Sequence, residues 1–518
     1  MARRSNTSPK DHPLSVAFVS LGCPKNLVDS EKMLGLLAED GIAITPDHED
    51  ADAIVINTCG FLEASKTESL EVIREAIDEK IAAASKGKTK RIIVAGCLVQ
   101  RHKAELLHET PEVDALVGVF DRENIVHAVR GGQYEALKNA GEDLGQYHAV
   151  SAFITKPTKA DIGKGYRESD RARLRLTPRH YAYLRVSEGC NQGCTFCTIP
   201  SIRGRMRSKP LPDILAEAEE LMHDGAVELN LIGQDTTSYG EDIGFNARGE
   251  GLPGMLRGLD KVVSKNGGGW LRLMYAYPSC FTDEMIKTLA DCRHVVKYID
   301  MPLQHISDGV LHAMRRKVTR AQIETLLEKL RKWIPGMTLR TTFISGFPGE
   351  TDAQHRELLT FIRDFQFENV GVFEFSPEPG TPAGRLHEST GIAAKVAGRR
   401  KEELMLAQQQ IVLAKSAAMV GKEIRVLVDE ANPKKKTATA RHAGQAPDID
   451  GRVLLNKTAA LPGELLTVHV DDYNYYDLIA HAAGPAAKPQ PRKQNRMSLP
   501  VLAAAPASVE TRSKSSGR

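Results

Sequence analysis

Of the eight cysteines in the 518 residues, six fall into two sets of three, and these side chains offer the most chemistry. Cys190, Cys194 and Cys197 are spaced Cys-x3-Cys-x2-Cys, in a stretch that also holds Gly189, Gly193 and Gly204. So short a loop can wrap three thiolates around one inorganic centre. A structural zinc ion would want a fourth ligand, and no nearby Cys or His stands at an obvious spacing to supply it. A four-iron cluster can be held by three cysteines, leaving one iron open to an outside ligand, so iron–sulfur is the better match. The glycines allow close backbone approach and unusual φ values, and Phe196 can shield the centre from water.

The second set is dispersed. Cys23, Cys59 and Cys97 lie 36 and 38 residues apart. Each stands two residues past a short β-branched run (Val16–Leu21, Ala53–Asn57, Arg91–Ala95) and near a glycine (Gly22, Gly60, Gly96). In a parallel sheet such loops open on one side, where doubly wound folds bind ligands, so three thiols would converge on one crevice. The alternative is three small buried residues in tight turns. Their matching positions in all three loops favour a second three-cysteine cluster. Cys280 and Cys292 are assigned to packing, although Cys280 follows a strand and could face the site.

The elements that must position these thiols alternate strand and helix. Over 14–130 the runs above and Val113–Val117 alternate with helical patterns such as Leu70, Ile73, Ile77 and Ile81, which implies a doubly wound parallel sheet. Residues 131–176 form a Gly-, Lys- and Arg-rich linker, with Arg171, Arg173 and Arg175 read as a solvated charge run that could partly order. Over 177–415 six strands are expected at Tyr181–Val186, Val227–Ile232, Trp270–Tyr275, Lys297–Met301, Thr338–Ile344 and Asn369–Phe375. Six βα units suit an open, partial barrel with its chemistry at the carboxyl ends of the strands. Residues 416–480 change to five short strands, a small OB-like barrel. Residues 1–13 and 481–518 are expected to be disordered.

Composition narrows the function classes. Hydrophobic residues make up 42% and charged residues 26%, which suits a folded soluble chain rather than a disordered one. No apolar run approaches the length that spans a bilayer, and the polar start lacks an export signal. A cytoplasmic protein with reduced thiols is therefore expected. The net charge of +3 is carried by the two ends, leaving the body acidic, so the folded part is not expected to bind nucleic acid strongly.

The three-plus-two cysteine spacing on a partial βα barrel resembles the radical S-adenosylmethionine (SAM) superfamily. Across 14–480 the chain resembles its methylthiotransferases: a cluster domain, a radical SAM core and a C-terminal TRAM domain, in that order. The segment Glu188–Cys197, EGCNQGCTFC, is shared across the family. Three others look like the branch that modifies an aspartate of ribosomal protein uS12, rather than the branch that modifies isopentenyladenosine in tRNA. They are Val19–Glu31 (VSLGCPKNLVDSE), Tyr298–Ser307 (YIDMPLQHIS) and Ala446–Gly451 (APDIDG).

The resemblance implies two 4Fe-4S clusters, one on Cys190, Cys194 and Cys197 with SAM at its open iron, and an auxiliary one on Cys23, Cys59 and Cys97. It implies two SAM molecules: one methylates a sulfur held at the auxiliary cluster, and the other yields a deoxyadenosyl radical that takes hydrogen from the aspartate Cβ. A low-potential electron donor and a sulfur donor are implied as partners, and no membrane. Gln234, Asp235, Gln304 and Gly346 are candidates for SAM contacts, with His305 and Glu350 in the same strand-end loops. Arg203, Arg205 and Arg207 are candidates to neutralise a substrate carboxylate or phosphate. The 416–480 segment holds eight Lys and Arg against nine Asp and Glu, which suits a basic protein substrate better than an RNA. A different class, an iron–sulfur electron carrier without catalysis, is the remaining alternative.

Overall fold

The computed structural model describes residues 14–131, 169–245 and 250–483. The expected disorder of 1–13 and of the tail beyond 483, and most of the 131–176 linker, lie outside the described residues.

The first unit is a five-stranded parallel sheet of β1 (Ser15–Ser20), β2 (Ala43–Thr45), β3 (Ala53–Thr58), β4 (Arg91–Gly96) and β5 (Ala115–Val117), in the order β2-β1-β3-β4-β5. Its central strands are runs of Ile, Val and Ala buried on both faces, as a sheet covered by helices requires. The chain leaves β1 towards one edge and returns to β3 on the other side. The Cys23 and Cys59 loops therefore flank the switch point of the sheet, where a crevice opens. The edge strand β2 has no counterpart in the sequence reading. Its three residues are half-exposed and too few to show a period.

The second unit carries β6 (Tyr181–Arg185), β7 (Ser187–Glu188), β8 (Arg207–Ser208), β9 (Glu228–Ile232), β10 (Trp270–Leu273), β11 (Val295–Asp300), β12 (Thr338–Ser345) and β13 (Asn369–Glu374). Six of these pair in parallel in the order β13-β12-β11-β10-β9-β6, an open six-stranded half-barrel, while β7 and β8 form a short antiparallel ladder. Its outer helices start where capping chemistry says they should. Thr319 with Gln322 and Thr351 with Gln354 each make a reciprocal capping box.

Helix Ala394–Ala417 leads into the third unit. There β14 (Glu423–Asn432), β15 (Thr437–His442), β16 (Val453–Asn456), β17 (Leu465–Asn474) and β18 (Asp477–Ala482) close into a barrel. Strand β18 runs through His481, where the tail was expected to begin, because the His469–His481 and Val468–Ala482 pairs continue the ladder.

A further correction concerns the linker arginines. Arg173 and Arg175 are not solvated: their side chains are buried. Arg173 faces Glu31 and Glu217, and Arg175 pairs with Asp224 at 2.7 Å. Only Arg171 is exposed, paired with Glu220. The segment is a strap that ties the first helix of the sheet domain to the half-barrel, and its partners come from elements distant in sequence. No helix among the described residues is long and apolar enough to cross a membrane.

Candidate active site

The three dispersed cysteines sit at the carboxyl ends of adjacent parallel strands: Cys23 three residues after β1, Cys59 and Cys97 directly after β3 and β4. A polar staple fixes their loops. Asn26 donates through Nδ2 to the Leu21 carbonyl (2.6 Å) and to the Thr58 carbonyl (3.3 Å), so one side chain holds the approaches to Cys23 and Cys59. Thr58 Oγ1 donates to the Ala95 carbonyl (2.6 Å), which ties in the approach to Cys97. Asn57 Nδ2 donates to Ser30 Oγ (2.8 Å) and the Asn26 carbonyl (2.9 Å). Pro24 opens the helix Pro24–Glu39 at a position where a missing N–H costs nothing. That helix buries a polar face, including Lys25, Asn26, Asp29, Ser30 and Glu31, because it is wedged between two domains.

The other three cysteines lie in the loop after β7. Backbone bonds fold this loop on itself and onto the barrel: Cys190 N to the Gly204 carbonyl (3.2 Å), and Thr195 N to the Met314 carbonyl (3.1 Å). Gly189 has φ +81, and a Cβ there would lie 2.2 Å from the Arg205 carbonyl oxygen, so the turn admits glycine alone. Donors point at the sulfurs. Gln192 N lies 3.5 Å from Cys190 Sγ, and Arg316 Nη1 lies 3.6 Å from Cys194 Sγ with its guanidinium over the Tyr277 ring.

The two loops touch. Thr198, next to Cys197, donates to the carbonyl of Phe61, two residues past Cys59 (3.2 Å). Ile202 packs with Cys97 and Val119. Arg203 Nη2 lies 3.2 Å from Cys97 Sγ. Arg203 also pairs with Asp29 of the sheet domain and Glu188 of the half-barrel, both at 2.9 Å. Around them Asp29, Arg122, Asp170, Arg185, Glu188 and Lys209 form one buried ion network. Every one of these charges needs the others, since a lone buried ion costs several kcal/mol.

This overturns one expectation. Arg203 is buried and spent on internal partners, not free for a substrate anion. Arg205 is exposed, and the Arg207 guanidinium lies over the Phe120 ring.

The electrostatics differ between thiols. Burial pushes Cys97, Cys190 and Cys197 up to about 12. Burial acts on Cys23 too, but the charges of Lys25 and Arg203 and two backbone N–H groups outweigh it and lower its pKa. Cys23 and Cys59 are both close enough to Cys97 for their charges to raise it. Metal ligation takes thiolates, so filling these sites releases protons.

Do the residues fit iron–sulfur clusters? Thiolates on one zinc ion sit about 3.8 Å apart, given bonds of about 2.3 Å. Neither triad brings its three sulfurs within 4.8 Å of one another. A cube of iron and sulfur spreads its ligands over separate metal atoms, and both triads have glycine-lined loops and N–H donors near sulfur. The residues fit.

The remaining candidates separate. Gln234 Nε2 donates to Glu188 Oε1 (2.6 Å), so it braces the cysteine loop. Asp235 accepts from Gln192 Nε2 (2.6 Å) and Ser238 Oγ (2.8 Å), and closes its own loop by accepting from two backbone N–H groups. Gln304 takes φ +73 beside β12, and its backbone bonds Thr342 and Ile344. His305 is fully buried, facing Glu350. Gly346 donates its N–H to Glu350 and lies against Ala397, where a Cβ would meet the Ala397 methyl at 2.4 Å. Cys292 is buried in the core as expected. Cys280 is half-buried among Ser238 (3.2 Å) and Gln192 (3.5 Å), beside the cysteine loop rather than in packing. Its position just after a barrel strand was the signal for that.

The segments Tyr298–Ser307 and Ala446–Gly451 meet at the half-barrel. Tyr298 OH donates to Asp450 (2.8 Å), and Arg340 pairs with Asp300 (2.7 Å) and Asp450 (3.4 Å). The third such segment, Val19–Glu31, reaches the same region through Lys25, whose ammonium lies 3.1 Å from the centre of the Tyr275 ring.

Residues 15–118 match "Uncharacterized protein family UPF0004", 184–362 the radical SAM superfamily and 420–482 the TRAM domain. A relative from Anaeromyxobacter sp. (strain K), "Ribosomal protein uS12 methylthiotransferase RimO", is 41% identical over 91% of this chain and 95% of its own. One of the same name from Bdellovibrio bacteriovorus is 42% identical over 90% and 96%. Among solved structures, the radical SAM methyltransferase TsrM from Kitasatospora setae, with tryptophan and aza-SAM bound, aligns over 72% of this chain and 75% of its own. Its TM-score is 0.50 at 14% identity, a likeness of fold.

Proposed function

This chain belongs to the RimO family of radical SAM methylthiotransferases, and from that premise we propose that it methylthiolates the β-carbon of an aspartate in ribosomal protein uS12. Two 4Fe-4S clusters would be held, by Cys190, Cys194 and Cys197 and by Cys23, Cys59 and Cys97, with two SAM molecules consumed. When bound, these cofactors supply what side chains cannot: the electron that splits the SAM sulfonium, and a place to carry the transferred sulfur.

The observation that carries the reading is the contact between the two cysteine loops, made by Thr198 with Phe61 and by Arg203 with Cys97. An aspartate Cβ–H is unactivated, so hydrogen removal and sulfur delivery must happen at one place, before a reactive carbon meets water. Two interlocked loops meet that need, and an electron carrier would not. The polypeptide's own work is orientation and exclusion. Asn26 and Thr58 hold the three sheet loops in register. Tyr277 and Arg316 cover the Cys194 side. Gln192, Asp235 and Ser238 form a polar ledge beside the cysteine loop, suited to the amino and carboxylate groups of SAM. Gln304 and Gly346 remain candidates for its adenosine end.

The near-neutral balance of 416–480 supports a basic ribosomal protein over tRNA. A low-potential electron donor and a sulfur donor complete the partners, and the cytoplasm is the place of action. The test is mass spectrometry of purified uS12 and of tRNA, each incubated anaerobically with reconstituted enzyme, SAM, sulfide and reductant. A methylthio group on the uS12 aspartate is expected. Modification of tRNA adenosine with uS12 untouched would overturn the assignment.

A further inference from the structure

A buried cation at the end of the half-barrel has no carboxylate partner among the described residues. Lys25 is 7% exposed, and its closest described partner is the face of the Tyr275 ring, 3.1 Å from ammonium to ring centre. Among the described residues no carboxylate comes within ion-pair distance of it. The acidic groups whose charges reach it are first the Cys23 thiol, itself a proposed cluster ligand, and then the carboxylates of Asp300 and Glu188. Both carboxylates are committed elsewhere, Asp300 to Arg340 (2.7 Å) and the Tyr275 N–H (3.3 Å), Glu188 to Arg185 (2.8 Å) and Arg203 (2.9 Å). The neighbouring buried cations Arg122, Arg185, Arg203 and Lys209 all have carboxylate partners. Lys25 is the exception, and a ring face offsets only part of what desolvating an ammonium costs.

Its surroundings are held in place. Tyr275 takes φ +59 two residues past β10, a left-handed conformation unusual for an aromatic residue. Strain of this kind persists where the structure over-determines it, and it clusters at ligand clamps. Here the Asp300 carboxylate accepts from the Tyr275 N–H, and the Tyr275 carbonyl accepts from Thr236 N (3.1 Å). Lys25 follows Cys23 by two residues, so the ammonium stands between the first cysteine loop of the sheet domain and the open end of the half-barrel.

We propose that Lys25, seated on Tyr275, is the carboxylate subsite of this enzyme: it receives the side-chain carboxylate of the target aspartate and so sets the β-carbon, one bond away, between the two cysteine loops. The proposal rests on the aspartate reading above. It makes Lys25 a specificity determinant: an asparagine presents a neutral amide to an ammonium that has no carboxylate partner and binds less well.

The experiment measures equilibrium binding of purified uS12 to the anaerobically reconstituted enzyme, with native uS12 and with uS12 whose target aspartate is replaced by asparagine. The wild type is expected to prefer the aspartate form by about tenfold or more. Lys25→Gln and Lys25→Met are expected to bind both forms alike, and Lys25→Arg to keep a preference. Two replacements of different shape are used so that one misfolded variant does not decide the matter. Equal binding of the two forms by the wild type, or an undiminished preference in Lys25→Gln or Lys25→Met, overturns the subsite alone. Failure of native uS12 to bind the wild type overturns the substrate reading, and the subsite with it.

Discussion

Replacing Gly22 by alanine should remove one cluster and spare the other. Gly22 has φ +90, and a Cβ there would lie 2.8 Å from the Cys59 Cβ and 3.1 Å from its Sγ. The left-handed backbone costs an alanine about 1–2 kcal/mol. The new methyl also has to push Cys59 aside, and overpacking of this kind adds about 1–3 kcal/mol. Together that is about 2–5 kcal/mol, placed between two proposed ligands of one cluster. The loop of Cys190, Cys194 and Cys197 has its own backbone bonds to Gly204 and Met314 and does not use Gly22. Anaerobic iron and sulfide counting should therefore fall from about eight irons per chain to about four. Deoxyadenosine formation from SAM should persist while methylthio transfer is lost. Full iron content with undiminished transfer in Gly22→Ala would refute the claim that Cys23 and Cys59 share a centre.

Asp29 is buried. Burial raises its pKa, but Arg185, Arg122 and Arg203 outweigh that and hold it at about 2. Its contribution is present above the ordinary carboxylate range and is lost as pH falls towards 2. Asp29→Ala takes one carboxylate away from three buried guanidinium groups, which keep Asp170 or Glu188, so a loss of about 3 kcal/mol is expected, read as a lower urea midpoint for the sheet domain and core. An unchanged midpoint would mean the network is not coupled. His442 is held down to about 4, by burial first and then by Arg272 and Arg441. It stays neutral in the fold but takes a proton near 6.5 once unfolded, so stability rises with pH between about 4 and 6.5, by at most about 3 kcal/mol. Thermal melts of His442→Gln across that range should lose one proton's worth of slope. An identical slope in both proteins would assign it to other groups.

How legible all this was in the sequence depends on range. The Cys190 loop is local, so its spacing alone spoke for it. The dispersed triad needed one further step, that parallel strands open their loops on the same side, and three β-branched runs supplied it. Tertiary packing lay beyond that step. Nothing local marks Arg203 as the residue that reaches Cys97, because its partners Asp29 and Glu188 belong to two domains. Arg173 and Arg175 read as part of a solvated charge run, yet become a strap once Glu31, Glu217 and Asp224 come to meet them. Lys25 sits in a motif singled out from the sequence, but its lack of a carboxylate partner is a property of everything packed around it. Likewise Asp450 of the third unit, counted in that segment's charge, turns inwards to Tyr298, while Asp448 stays exposed and accepts from Tyr181.

The central claim is two incompletely ligated clusters on six cysteines, side by side. Iron and sulfide analysis with Mössbauer and electron paramagnetic resonance spectroscopy, on the variants with Cys23, Cys59 and Cys97 or with Cys190, Cys194 and Cys197 replaced by alanine, tests it most directly. The account predicts about four irons in each variant and distinct spectra that sum to the wild type, with SAM perturbing only the cluster that the first variant keeps. Wild-type iron content in either variant, or a SAM response in the second, would contradict it.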